Sequence, residues 1–180
     1  MEYHESLPLS AEIRKKLQVN DVLYVTGTIF TARDSAHLRM RGMKPTDFPF
    51  DPSMMGLYHC GPLMKKEDGQ WIAVSAGPTT SSRMEDVEDI LLDRYGFHLI
   101  IGKGGMGERT SKALKKTVSV YAAFPGGAGV LAAEKITKVS EVYWLEELGM
   151  PEAVWVLEVK EFGPLVITMD AFGESLYRQS

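Results

Sequence analysis

Apolar and polar positions along the chain change repeatedly between the spacing of strands and the spacing of helices. DVLYVTGTIF, residues 21–30, is rich in β-branched and aromatic residues and predicts a strand, and TARDSAHLRM at 31–40 predicts a helix or compact turn after it. A second helix is predicted from about Ser81 to Tyr95, where apolar residues recur at helical spacing behind acidic first turns and Gly96 ends the pattern.

Glycine-rich turns introduce the next helices. FHLII at 97–101 predicts a buried strand, and GKGGMGERTSKALKK at 102–116 predicts a glycine turn followed by a helix with a basic outer face. TVSVYAAF at 117–124 predicts another strand, and PGGAGVLAAEKI at 125–136 predicts a second glycine turn and a short apolar helix. This order of elements predicts an α/β fold.

Extra strands accompany these units. Residues 56–76 predict two short extended runs around a turn at 67–69. Three further strand-like runs, SEVYWLEEL, AVWVLEVKEF and GPLVITMDA, are separated by turns at 149–151 and 163–164 that contain glycine and proline. Because there is no repeat and no linker long enough to divide the chain, residues 1–180 are expected to form a single domain.

Composition narrows the functional classes. Hydrophobic residues make up 44% of the 180 residues and charged residues 24%, the balance of an ordinary soluble globular protein. The net charge of -4 argues against non-specific nucleic-acid binding, which needs a basic surface, and no apolar run approaches the roughly 20 residues that span a bilayer. The polar, acidic N-terminus is unlike a signal peptide, so we expect a cytoplasmic protein that does not bind membranes.

The cysteine content limits the cofactors. Cys60 is the one cysteine of the chain, so an internal disulfide is impossible. One thiolate cannot hold a structural zinc ion or an iron-sulfur cluster, which take three or four protein ligands, so any such cofactor must be ligated by another chain. A reactive pair with His59 is conceivable, but a buried and unreactive cysteine is the commoner case.

Three turns between predicted strands and helices each carry one cation in a polar or glycine-rich setting. In open α/β folds such turns meet at the carboxyl ends of strands, where helix N-termini favour anions. Arginine offers a planar fork for a carboxylate, and lysine a compact charge. If the turns lie side by side, they suit a small dicarboxylate. The turns span residues 31–34, 78–83 and 102–105, and their cations are Arg33, Arg83 and Lys103.

The residues of these turns also fit purely structural roles. The hydroxyls of Thr79 to Ser82 are what a helix N-cap requires, and Arg33 next to Asp34 can form a local ion pair. Lys103 can be a solvated loop lysine. His37 is a candidate general base, although a histidine in the core or on a helix surface is the commoner case.

A nucleotide-binding site is a more specific alternative to the dicarboxylate site. GKGGMG fits the dinucleotide fingerprint G-x-G-x-x-G between a strand and a helix. The acidic residue expected about 20 positions further on is missing, because residues 117–133 contain no Asp or Glu. No Gly-Lys pair precedes Ser or Thr, which excludes the phosphate-binding P-loop motif.

At these turns the sequence resembles a known family. TARDSAHLR, YHCGPL, SAGPTTSSRM, IGKGGM, YAAFPGGAGVLAA and LGMPEAVWVLEVKEFGPLVITMDAFGESLY occur in this order between about Leu7 and Tyr177. They resemble the C-terminal domain of class I fumarases and L-tartrate dehydratases, which is a separate β subunit in two-chain members. The resemblance implies a swivelling β/β/α domain with glycine-rich strand-to-helix turns, an α subunit as partner, and a dimer of such α/β pairs.

The resemblance also implies an activity and its residues. These enzymes add water to fumarate or dehydrate tartrate with a [4Fe-4S] cluster, whose cysteine ligands belong to the α subunit. By resemblance, Arg33, Arg83 and Lys103 bind the carboxylates of the small dicarboxylate substrate, and Thr79 handles the C3 proton. The expected function is the β subunit of a fumarate hydratase, inactive without its α subunit. An L(+)-tartrate dehydratase β subunit and a non-catalytic carboxylate-binding module are the alternatives.

Overall fold

The structure is a computed structural model that describes residues 1–125, 127 and 129–177. Two residues of the predicted glycine turn at 125–128, Gly126 and Ala128, lie outside the described residues. The strands are β1 (Glu2–Ser6), β2 (Val22–Thr31), β3 (Gly56–Tyr58), β4 (Leu63–Glu67), β5 (Gln70–Ser75), β6 (Leu99–Gly102), β7 (Val120–Ala123), β8 (Ile136–Tyr143) and β9 (Val154–Met169). The α-helices are α1 (Ala11–Lys16), α2 (Asp34–Gly42), α3 (Glu85–Tyr95), α4 (Glu108–Thr117), α5 (Gly129–Glu134) and α6 (Leu145–Leu148). Short 3-10 helices span Pro45–Asp47, Pro52–Met54 and Ser81–Met84, and the last of these leads into α3.

Seven of the strands form one sheet in the order β1-β2-β3-β6-β7-β9-β8. β9 also pairs antiparallel with β2, so the five strands β2, β3, β6, β7 and β9 close into a ring. β4 and β5 form a separate antiparallel hairpin, whose turn places Asp68 and Gly69 at positive φ. The predicted α/β fold is confirmed.

The central strands are apolar on both faces. One core contains Ile29, Tyr58, Ile101, Ala122 and Leu157. A second core contains their neighbours in the chain, namely Phe30, Leu57, Ile100, Tyr121 and Val156. Successive side chains of a strand point to opposite faces, so this alternation puts one core on each side of the sheet. Buried residues of α2, α3 and α4 belong to the second core, and these helices therefore cover that face.

The parallel strands β2, β3 and β6 are neighbours and end at the same edge. Thr31 pairs with Tyr58, and Tyr58 pairs with Ile101. The chain therefore leaves these strands at adjacent points, towards Arg33, His59 and Lys103. This edge is the place that the sequence predicts for an anion site.

Two details of the strand prediction are wrong. β9 is one strand through Gly163 and Pro164, although a break was expected there. The pairing of β9 with β2 shifts register between Phe162 and Leu165, so Pro164, which has no N–H to donate, falls in an irregularity of the ladder. Residues 145–148 form a short helix instead of continuing a strand.

The strand β1 was not predicted from the sequence, and its residues alternate between exposed and half-buried. Its hydrogen bonds to β2 stabilise it where its polar side chains give little signal. Among the described residues, no helix is long and apolar enough to cross a membrane.

Candidate functional site

Arg33 lies two residues after the end of β2 and occupies the N-cap position of α2. Its Nε lies 3.3 Å from Glu152 Oε1, and the other oxygen of Glu152 accepts a hydrogen bond of 3.0 Å from the backbone N–H of Ser35. A Cβ atom at Gly61 would lie 2.5 Å from Arg33 Cδ, so only glycine leaves room for this side chain. Arg33 is thus held between Gly61 and Glu152 with 30% of its side chain exposed.

The segment 79–83 lies between the ends of β3 and β6. The Thr79 N–H donates to the carbonyl oxygen of His59 (2.8 Å), and the Ser81 N–H donates to the carbonyl oxygen of Lys103 (3.1 Å). The segment follows a strand, as predicted, but that strand, β5, belongs to the separate hairpin and not to the seven-stranded sheet. Backbone hydrogen bonds nevertheless insert the segment beside the other two turns.

Arg83 joins the second turn to the first. Its Nη2 donates to Thr79 Oγ1 at 2.8 Å, and its Nε donates to Asp34 Oδ1 at 3.2 Å. Burial alone would raise the pKa of Asp34, but the Arg83 guanidinium lowers it. Asp34 therefore pairs with Arg83, while Arg33 pairs with Glu152, and a local Arg33–Asp34 pair is not the main contact of either residue.

Lys103 follows β6, and its side chain is exposed. Across residues 1–125, 127 and 129–177, its Nζ has no hydrogen-bond or ion-pair partner. A Cβ atom at Gly102 would lie 1.9 Å from Ser81 Oγ, so this glycine admits the second turn against the third. The close approach expected of the glycine turn is thus made by the protein's own Ser81.

All four predicted site residues therefore lie on three adjacent segments at one edge of the sheet. Two of them, Thr79 and Arg83, are in direct contact, and Arg83 reaches the first turn through Asp34. The partly exposed Arg33 and Arg83, together with the unpaired Lys103, give this edge a local positive charge in a chain with a net charge of -4. Chemically, the arrangement suits an anion with more than one carboxylate.

A buried cluster beneath these turns was not found by sequence reasoning. His37 Nε2 and His59 Nε2 both contact Glu88 Oε2, at 2.9 and 2.7 Å. All three side chains are at most 1% exposed. The signal was the position of Glu88, because it follows Val87 on the apolar stripe of α3, where a glutamate requires a buried partner.

Cys60 offers the only thiol in the sequence that could bind an iron-sulfur cluster. It is fully buried, and burial raises the pKa of its thiol well above the ordinary range, against a lowering influence of Arg33. A neutral, enclosed thiol matches a structural role for this cysteine. Since the chain has no other cysteine, its residues do not fit an iron-sulfur cluster.

Comparison with known proteins identifies the family of the chain. The family described as Fumarase C-terminus matches residues 5–180. The chain belongs to this family. The match spans all three turns and the buried cluster, so the cationic edge of the sheet lies within the fumarase C-terminal domain.

Relatives of this fumarase C-terminal domain occur alone and within longer chains. It is 47% identical over 167 residues to a putative L(+)-tartrate dehydratase subunit beta of Methanocaldococcus jannaschii, covering 92% of this chain and 86% of that one. It is 42% identical over 173 residues to the L(+)-tartrate dehydratase subunit beta of Escherichia coli K12, covering 96% and 85%. A putative fumarate hydratase class I of Geobacillus stearothermophilus is 42% identical over 171 residues, which are 94% of this chain but 32% of that protein.

Proposed function

We propose that the chain is the β subunit of a two-chain hydro-lyase of the class I fumarase type, acting on a four-carbon dicarboxylate. The single observation that carries the proposal is the contact of Arg83 with Thr79 on a turn that lies between Arg33 and Lys103. It puts a hydroxyl beside cations that can hold carboxylates. The family match and the relatives named as beta subunits support the same function.

In this proposal the three cations bind and orient the substrate. The side chains of Arg33 and Arg83 remain 30% and 44% exposed, and that of Lys103 is exposed as well. Charge-assisted hydrogen bonds to carboxylates contribute about 1.5–3 kcal/mol each. Holding both carboxylates fixes C3, one of the two carbons between them, against Thr79, which converts proton transfer into a step within the complex.

Thr79 is the proposed proton-transfer residue, and Arg83 is the residue that enables it to act as a base. A threonine hydroxyl is a poor base in water, but a cation that donates to its oxygen stabilises the deprotonated form. Arg83 Nη2 does so at 2.8 Å, which leaves the hydroxyl proton free to point towards a substrate. The same hydrogen bond fixes the Thr79 rotamer.

The remaining chemistry belongs to the proposed α subunit. That subunit holds the [4Fe-4S] cluster, a Lewis acid for the hydroxyl group that is added or removed. None of the roles assigned to Arg33, Thr79, Arg83 or Lys103 requires the cluster to contact this chain. We propose that the assembled enzyme contains pairs of α and β chains.

Two substrates are candidates within this class. Fumarate is the first, giving (S)-malate, and it matches the name of the Geobacillus relative. L(+)-tartrate is the second, and the names of the Methanocaldococcus and Escherichia relatives favour it. Both are four-carbon dicarboxylates that the same three cations can hold, so the choice between them needs an assay.

The test is a reconstitution under anaerobic conditions. The chain is purified with and without its α partner and assayed with fumarate, (S)-malate, L(+)-tartrate and mesaconate. We expect turnover of a dicarboxylate by the complex and none by this chain alone. Activity of the isolated chain would refute the split site, and a complex that binds dicarboxylates without turnover would favour the non-catalytic module.

A further inference from the structure

The buried cluster connects all three turns of the candidate site. His37 Nδ1 donates to the carbonyl oxygen of Arg33 at 2.8 Å, which ties the cluster to the first turn. His59 Nδ1 contacts Ser81 Oγ at 2.7 Å, in the second turn. The backbone N–H of Lys103 donates to the same Ser81 hydroxyl oxygen at 3.2 Å, in the third turn. Glu88 stands at the centre, because one of its oxygens contacts both histidines.

Hydrogen-bond donors and acceptors determine the protonation of His37. Its Nδ1 faces a carbonyl oxygen and its Nε2 faces a carboxylate, and neither of these partners can donate if Glu88 is ionised. Both ring nitrogens must then carry protons, so His37 is an imidazolium ion. Burial opposes this charge, but the Glu88 carboxylate outweighs it and raises the pKa of His37.

His59, in contrast to His37, is a neutral imidazole. Burial lowers its pKa, so it is neutral and carries one proton. That proton lies on Nε2, since Nε2 faces the carboxylate, and Nδ1 then accepts from the Ser81 hydroxyl. Ser81 Oγ has lone pairs left for the Lys103 N–H and for the Tyr121 hydroxyl at 2.9 Å.

Glu88 is the anion that pairs with both histidines through Oε2, while its other oxygen, Oε1, has no hydrogen-bond partner among the described residues. Burial by itself would raise its pKa, yet the imidazoles of His37 and His59 hold it at about 2. The other ionisable groups near the cluster are Asp34, which favours protonated histidines, and the Tyr121 phenol. The N···O distances of 2.7 and 2.9 Å are those of charge-assisted hydrogen bonds, and a proton on each Nε2 accounts for both contacts.

We propose that Glu88 is a positioning residue of the anion site, which acts through His37 on the Arg33 turn and through His59 and Ser81 on the other two turns. Only the kinetic consequence rests on the proposed function. Loosening the turns weakens the carboxylate contacts in the substrate complex and in the transition state alike, which raises KM more than it lowers kcat. A merely destabilised subunit lowers the amount of active enzyme and leaves KM unchanged.

The kinetic test compares Glu88→Gln with Asp86→Asn in the complex with the α subunit. Both replace an acid by its amide on α3, but the Asp86 side chain is 91% exposed. We expect Glu88→Gln to raise the KM of the dicarboxylate by about tenfold with kcat changed less than about threefold, and Asp86→Asn to change neither. An unchanged KM in assembled Glu88→Gln enzyme would overturn the proposal.

Ser81→Ala provides a second variant in case the Glu88→Gln chain does not fold. It removes one hydroxyl and leaves the His37–Glu88 ion pair intact, so folding is expected to persist. The Lys103 N–H and His59 Nδ1 lose their shared partner, and KM should rise by about threefold or more. Wild-type KM in this variant would contradict a link from the cluster to the third turn.

A third measurement does not depend on catalysis. Long-range ¹⁵N–¹H correlation spectra of the ¹⁵N-histidine-labelled chain, with zinc content measured on the same sample, report which ring nitrogens carry protons. We expect a doubly protonated His37 and a His59 protonated on Nε2 at neutral pH, without stoichiometric zinc. A neutral His37, or zinc bound at these nitrogens, would overturn the proposal even if the enzyme is active. If the protonation pattern is found but no dicarboxylate is turned over, the proposed function fails and the assigned structure of the cluster stands.

Discussion

Two sets of charged groups meet at the three turns and differ in burial and in partners. The exposed rim consists of Arg33, Arg83 and Lys103, whose side chains keep contact with solvent. The buried cluster consists of His37, His59 and Glu88, whose side chains contact one another and backbone or hydroxyl groups. Of the cluster residues, His37 lies four residues after Arg33 and Glu88 five after Arg83, whereas His59 is distant from every rim cation in the chain.

The difference in burial separates residues that can bind a substrate, in the rim, from residues that can only position the turns, in the buried cluster. Buried charge requires ion pairing and hydrogen bonds, which Glu88 Oε2 and the ring nitrogens of both histidines have, whereas Glu88 Oε1 has no hydrogen-bond partner among the described residues. The three side chains are at most 1% exposed, so a ligand at the rim does not reach them. The rim cations have solvent-facing capacity, which a carboxylate can use. We therefore expect substitutions in the rim to remove substrate contacts directly, and substitutions below it to act through geometry.

Arg83→Ala is expected to have the largest effect. It removes a carboxylate contact, the donor to Thr79 and the partner of Asp34 together. We expect kcat/KM of the complex to fall by about a thousandfold, measured by steady-state assay with the dicarboxylate that the wild type turns over. Arg109→Ala is the matched control, because Arg109 is an exposed arginine of α4 that pairs with Asp89. Near wild-type rates for Arg83→Ala would refute the assigned role.

Thr79→Val should separate chemistry from binding. Valine keeps the branched shape without the hydroxyl, so substrate binding persists while proton transfer is lost. We expect kcat to fall by about a hundredfold or more. Thr79→Ser retains a hydroxyl within reach of Arg83 and should keep most of the activity. Equal kcat values for the valine and serine variants would show that the hydroxyl has no part in catalysis.

The rim could be predicted from the sequence because its signals are local. Each cation stands in a short polar or glycine-rich turn beside a strand pattern, and Lys103 among glycines has no packing role. The adjacency of the Arg33 and Lys103 turns follows from the parallel strands β2, β3 and β6, whereas the Arg83 turn follows the separate hairpin and is held beside them by backbone hydrogen bonds. The α/β fold and most element positions followed from the alternation of strand and helix spacing.

The cluster could not be predicted because its contacts are distant in the chain. His37 and Glu88 are 51 residues apart, and His59 and Glu88 are 29 apart. A histidine has no local signature of burial, and whether it meets a carboxylate depends on the packing of α2 against α3. The ring of five strands was missed for the same reason, since the β2–β9 pairing joins the two ends of the fold.

Gly102→Ala tests the junction between the rim and the cluster. The added Cβ would lie 1.9 Å from Ser81 Oγ, within a well-packed and hydrogen-bonded region. We expect the free energy of unfolding to fall by about 3 kcal/mol, measured by chemical denaturation. Gly42→Ala, at the end of α2, is the control, because a Cβ there meets no atom within 4 Å. Equal stability of the two variants would mean that the second turn can move away from β6 at little cost.

The smallest effect is expected for a substitution of His98, which, unlike His37, has no carboxylate partner among the described residues. Burial and the nearby Arg14 lower the pKa of His98 to about 4, and its Nδ1 contacts Ser119 Oγ at 3.0 Å. Its unfolded-state pKa is about 6.5, so between about pH 4 and 6.5 the unfolded chain binds the extra proton and the free energy of unfolding rises with pH. His98→Gln should flatten this slope when the chain is unfolded with urea across the interval. An unaltered slope would place the pH dependence in other groups and leave His98 no more perturbed than an exposed histidine.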